Sequence, residues 1–113
     1  MKIIIAGGRD FTDTKYFMEC IQKHEKDITT VVSGGAKGAD KLGEILAKSN
    51  KFNLKVFKAD WASYKYGAGT IRNKQMAEYA DSLIAFWDGR STGTHNMIIT
   101  AKKLGLKVTV YNY

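Results

Sequence analysis

The chain has 113 residues, of which 44% are hydrophobic and 26% charged, the balance of one globular domain with one core. No apolar run approaches the ~20 residues of a membrane-spanning helix, and one lysine with four apolar residues before Gly7 is too little for a secretory leader. Cys20 is the only cysteine, which excludes an internal disulfide and a cysteine metal centre and makes the cytoplasm the expected location. The formal net charge of +7 points to anionic partners, although a lysine-rich solubility surface would give the same number.

In chain order, short β-rich runs alternate with helical periodicity. Lys2–Ala6 reads as a strand, its apolar run continuous enough for burial on both faces. Asp13–Lys26 follows as a helix with Thr12 as N-cap, Phe11 and Tyr16 as a staple, and Phe17, Ile21 and His24 on one face. Thr29–Ser33 is the second strand. Ala39–Ser49 is the second helix, with Leu42, Ile45 and Leu46 expected inward. Leu54–Lys58 is the third strand and Ala59–Gly69 an irregular loop, leading to a helix over Thr70–Tyr79. Ser82–Trp87 is the fourth strand. The last helix, Thr94–Leu104, turns Met97, Ile98, Ala101 and Leu104 inward and stops at Gly105, before a fifth strand at Lys107–Tyr111. Strand–helix alternation with right-handed crossovers predicts a Rossmann-like three-layer αβα sandwich around a five-stranded parallel sheet. In such sheets ligands bind beyond the carboxyl ends of the strands.

Four loops fall at that edge, and the three arginines of the chain all lie in or beside them. Loop one is Gly7-Gly8-Arg9-Asp10-Phe11. Its glycines suit a tight turn or close approach to a phosphate, and Arg9 offers a permanently charged fork. Loop two, Ser33-Gly34-Gly35-Ala36-Lys37-Gly38-Ala39-Asp40, resembles a phosphate cradle without P-loop or dinucleotide spacing. Ser33, Gly34 and Gly35 are its candidate donors and Lys37 the counter-charge, while Asp40 suits either a helix dipole or chemistry.

Loop three carries Trp61, Tyr64 and Tyr66 and leads to Arg72 and Asn73 at a helix start. These aromatics suit stacking on a base or covering the sheet edge, and Trp61 reads as the latter. Loop four is Asp88-Gly89-Arg90-Ser91-Thr92-Gly93-Thr94. There Gly93 and Thr94 open a helix able to hold phosphate, Gly89 and Arg90 flank it, and Asp88 is the carboxylate best placed for a ribose hydroxyl or a water. His95 reads as solvent-exposed. The two histidines and scattered carboxylates lack metal-ligand spacing, so no cofactor is expected beyond Mg²⁺ riding on a bound phosphate.

Read together, the segments Gly7–Phe11, Ser33–Asp40, Arg72-Asn73 with Met76 and Ala80-Asp81, and Trp87–Gly89 through Gly93-Thr94 resemble the SLOG superfamily, in particular its small stand-alone YspA-like branch. The match spans nearly the whole chain in order. The resemblance implies a Rossmann-like fold that binds nucleotides or nucleotide-derived ligands. Lonely Guy phosphoribohydrolases of that superfamily cleave an N-glycosidic bond with a Glu from a Pro-Gly-Gly-x-Gly-Thr-x-x-Glu motif. Here Gly93-Thr94 matches, an extra residue separates the glycines, and Met97 stands at the Glu position. That departure counts against the same chemistry unless Asp88, or secondarily Asp40, supplies the acid.

The DNA-processing protein A family is similar in loops one to three, and its members bind single-stranded DNA. Three readings therefore stand: capture of a nucleotide-derived small molecule for sensing or sequestration, nucleotide N-glycosidase activity, and single-stranded nucleic-acid binding. A homo-oligomer is implied only by the resemblance to Lonely Guy proteins.

Overall fold

Ile3, Ile4, Ile5 and Ala6 alternate between the two faces of a central strand, and that alternation organises the molecule. In the computed structural model, which describes residues 1–113, Ile3 and Ile5 enter one core cluster while Ile4 and Ala6 enter another. The strands are β1 (Lys2–Gly7), β2 (Thr30–Ser33), β3 (Asn53–Val56), β4 (Ser82–Trp87) and β5 (Lys107–Asn112). They form one parallel sheet in the order β3-β2-β1-β4-β5. The helices are α1 (Thr14–Gln22), α2 (Ala39–Ser49), α3 (Trp61–Tyr64), α4 (Ala68–Tyr79) and α5 (Thr92–Lys103). Phe17 and Ile21 of α1 and Leu46 and Ala47 of α2 cover one face, while Met76 of α4 and Met97 and Ile98 of α5 cover the other. This is the expected Rossmann-like αβα sandwich.

The long central strands and α2 fall where their patterning places them, and the departures have local causes. The N-cap of α1 is Asp13, not Thr12: its Oδ1 accepts from the Tyr16 N–H at 3.0 Å. The same helix ends at Gln22, because the His24 N–H turns to the Ile21 carbonyl at 2.8 Å and a short 3₁₀ turn over Glu25–Asp27 brings the buried Ile28 toward β2.

Ile45 is 53% exposed rather than inward. Helix α2 meets the sheet through Ala39, Gly43, Leu46 and Ala47, and Gly43 comes so close that a Cβ there would lie 3.1 Å from Ile5. Small residues make the contact, so the large aliphatic beside them is displaced outward. Leu104 is likewise exposed, lying just past α5, and Leu106 takes the packed place. The stretch expected to be an irregular loop contains α3, capped by the Asp60 carboxylate on the Ser63 N–H at 3.1 Å, and a 3₁₀ turn over Lys65–Gly67.

Strand order reverses between β1 and β4, whose following loops lead away to opposite faces. A crevice opens there at the carboxyl edge of the sheet.

Candidate functional site

Loop one turns over Gly7 and Gly8. At Gly7 a side chain would run into the Phe86 carbonyl of β4, and at Gly8 into the Tyr113 hydroxyl. That hydroxyl donates to Asp10 Oδ1 at 2.8 Å, and Phe11 beneath it stacks on Phe86 at 4.8 Å, so both ends of the loop are fastened while Arg9 between them stays exposed. The Gly8 carbonyl accepts from Phe11 N–H at 3.3 Å and from Ala39 N–H, at the start of α2, at 3.2 Å. Loops one and two are thereby pinned to the same atom. Gly38 makes this possible: its φ is +73° and a Cβ there would collide with the Gly8 carbonyl.

In loop two, Ser33 is wholly buried beneath the turn. Its hydroxyl donates to Glu44 Oε2 at 2.8 Å and accepts from Gly35 N–H at 3.1 Å. Ser33 therefore supports the loop from below and does not line the crevice, contrary to its expected place among the donors. Gly34 lies between two functional groups: a Cβ there would sit 2.9 Å from both Arg72 Nη1 and Asp40 Oδ2. The Asp40 carboxylate accepts from Ala36 N–H at 3.2 Å and is almost fully buried. Burial pushes its pKa up to about 6, against the pull of the Ala36 N–H and the Arg72 charge.

Arg72 sits in α4 and reaches across the crevice mouth. It donates from Nη1 to the Gly34 carbonyl at 2.7 Å and from Nε to Asn73 Oδ1 at 3.0 Å. The Asn73 amide donates onward to Asn96 Oδ1 at 2.9 Å and the Gly93 carbonyl at 3.3 Å, tying α4 to α5. Burial lowers the Arg72 pKa, Asp40 opposes that, and the charge of Arg9 adds to it.

Loop four is built around Asp88. Its Oδ1 accepts from the N–H groups of Arg90 and Ser91, each at 2.8 Å, and these bonds hold the carboxyl below its usual range. Ser91 then caps α5 through the Thr94 N–H, and the Trp87 indole donates to the Ser91 carbonyl at 3.0 Å. The N–H groups of Thr92 and Gly93, at the first turn of α5, have no partner within the protein. His95 is exposed, as expected, with its ring stacked on Trp87 at 5.2 Å.

These pieces enclose a cleft of about 540 Å³ lined by Arg9, Gly34, Gly35, Lys37, Asp40, Lys58, Trp61, Arg72, Gly93 and Thr94, among others. A second hollow of about 710 Å³ adjoins it and shares Arg9, Trp61, Arg72, Asn73, Ser91 and Gly93, with Asp88 on its far side. Both are of the size that takes small-molecule ligands. Arg9 and Arg72 thus meet, whereas Arg90 and Gly89 are exposed and line neither space. The loops of all three arginines open at one edge, but Arg90 stands exposed in the turn that the Asp88 carboxylate closes.

Trp61 is 54% exposed and lines both hollows, so it is not the edge-covering core residue its apolarity suggested. Lys58, which the sequence did not single out, joins the lining from just beyond β3. Met97, at the place of the Lonely Guy glutamate, is buried at the cleft floor.

A Rossmann-like sheet with glycine loops and two arginines at its switch point is the architecture of a SLOG-type domain. The chain belongs to the YAcAr family, the YspA, cpYpsA-related SLOG family, whose model matches residues 1–64 and so takes in loops one and two. It is also 32% identical over 116 residues to the "Gene 61 protein" of Mycobacterium phage D29, covering 95% of this chain and 93% of that protein. No solved structure matches it significantly. None of its helices is long and apolar enough to cross a membrane.

Proposed function

We propose that this protein binds a nucleotide or nucleotide-derived ligand through its phosphate groups in the Arg9–Arg72 cleft, to sense or sequester it. One observation carries the reading. The protein contains a single ion pair, Lys41–Glu44 at 3.5 Å, so neither Arg9 nor Arg72 has a carboxylate within bonding reach. The guanidiniums of Arg9 and Arg72 lie beside the unpartnered N–H groups at the start of α5, and the Asp40 carboxylate offsets the cost of burying Arg72 without bonding to it. A phosphate would neutralise both guanidiniums and accept hydrogen bonds from those N–H groups. Any Mg²⁺ would ride on the ligand's phosphates.

The test is a thermal-shift screen against nucleoside mono-, di- and triphosphates, NAD, ADP-ribose, cyclic dinucleotides and a short oligonucleotide, followed by chromatography of each mixture. A stabilising small ligand recovered intact supports the reading. Stabilisation by the oligonucleotide alone replaces it with single-stranded nucleic-acid binding, and no stabilisation by any anion defeats it.

A second reading, nucleotide N-glycosidase, is favoured by one feature. Asp40 lines the cleft and its pKa of about 6 keeps part of the population protonated near neutrality, as protonation of a leaving base requires. Asp88 suits this work less, since the Arg90 and Ser91 N–H groups on its Oδ1 keep it ionised and without a proton to give. Recovery of free base and ribose phosphate, abolished in Asp40→Asn with binding retained, would establish this activity. Turnover unchanged in that variant would remove Asp40 from it.

A further inference from the structure

The chain keeps three large aromatic side chains in water along one short segment: Trp61 and Tyr64 are each 54% exposed and Tyr66 is 99% exposed. Exposed aromatics in such a run cost solvation unless something covers them. Their position relative to the arginines says what. Gly69, the second residue of α4, has Trp61 Cη2 at 3.7 Å and Arg72 Nη2 at 4.0 Å from the point its Cβ would occupy. The missing side chain leaves the indole and the guanidinium facing the same small space from two sides. Trp61 and Arg72 both line the two adjoining hollows, and Tyr66 stands at the rim of the second. An aromatic ring and a phosphate-seeking guanidinium lining the same two hollows suit a nucleotide, whose base and phosphate are joined through one ribose.

We infer that Trp61 is the platform on which the base of a nucleotide stacks while Arg72 and Arg9 hold its phosphate. This rests on the anion-binding reading above and adds the requirement for a base. Stacking uses the ring face, which every base presents, so the platform discriminates poorly among bases, with purines favoured by their larger area. Trp61 is half-exposed and outside both core clusters, so its replacement leaves the fold intact.

The experiment titrates AMP, GMP, CMP, UMP and ribose 5-phosphate, which has the sugar and phosphate but no base, into wild type, Trp61→Leu, Trp61→Phe and Arg72→Ala by calorimetry. In wild type the purine nucleotides are expected to bind at least about tenfold more tightly than ribose 5-phosphate. Trp61→Leu should erase that gap with ribose 5-phosphate affinity unchanged, Trp61→Phe should keep most of it, and Arg72→Ala should weaken every compound alike. Equal wild-type affinity for ribose 5-phosphate and the nucleotides, or a gap that survives Trp61→Leu, overturns the inference and leaves the anion site standing. Binding of none of the five to wild type overturns both.

Discussion

Arg72 donates to the Gly34 carbonyl at 2.7 Å across 38 residues of sequence, and this bond fastens the first turns of α4 to the loop after β2. The guanidinium is thereby aimed at the cleft rather than left to wander, since Nε is also held, by Asn73. A fork oriented before its anion arrives loses little side-chain entropy on binding.

Gly34→Ala separates grip from stability. The added methyl would press on Arg72 Nη1 and Asp40 Oδ2, both at 2.9 Å and both ends of side chains that can move. The fold should lose only about 1 kcal/mol, read by urea denaturation, while anion affinity falls about tenfold or more because Arg72 is pushed off its aim. Equal anion affinity in the variant would show that this orientation contributes nothing.

Gly38→Ala should do the reverse and damage the fold itself. Here the methyl meets a backbone carbonyl, that of Gly8, at a residue whose φ is +73°. Strain of about 1–3 kcal/mol from the dihedral alone, with displacement of loop one added, should appear as a clear drop in the unfolding midpoint.

Asp40 sets a pH dependence whose sign is fixed by burial. Its folded pKa, about 6, lies above the unfolded value, so the folded state holds the proton more tightly. Its stabilising effect is complete below about pH 4 and is lost as pH rises through 6. Between pH 4 and 7.5, wild type should therefore lose about 1–3 kcal/mol of stability relative to Asp40→Asn, measured by denaturant titration of both proteins. Affinity for a phosphodiester, which does not titrate in this range, should rise on acidification through pH 6 in wild type and stay flat in the variant.

Tyr113→Phe removes only the hydroxyl that donates to Asp10 at 2.8 Å and leaves the ring on Phe11, 4.7 Å away. The stability loss should be about 1 kcal/mol or less. Loop one, released at Asp10, should present Arg9 less firmly, and amide hydrogen exchange at residues 8–10 should speed up. Unchanged exchange there would mean that Phe11 alone secures the loop.

The fold was legible because its signals are periodic and local. The bounds of β4 and α2 follow directly from an unbroken apolar run and from a helix entered after Gly38. The site was legible in composition but less so in geometry. Glycine and arginine at one sheet edge point to Arg9, Gly34 and Arg72, which line one cleft because strand direction alone brings those loops together. Nothing in the local sequence tells that Arg90 turns outward or that Ser33 lies below the loop. Both outcomes depend on neighbours a turn away: the Asp88 carboxylate in one case and Glu44 in the other. Trp61 departs from its expected place for a related reason. Apolarity predicts burial only when enough sheet surface remains to cover, and α4 and α5 already occupy that face.

The shared Gly8 carbonyl has a mechanical consequence. Because Phe11 and Ala39 both bond to it, a shift of loop one is coupled to the start of α2, and the two form one connected plate. The segment carrying Trp61 has no bond to that plate: its hydrogen bonds run locally, from Ser63 and Tyr64 back to Asp60. Substitutions in the 61–67 wall are therefore expected to leave this plate in place, with Arg9 still presented at the cleft.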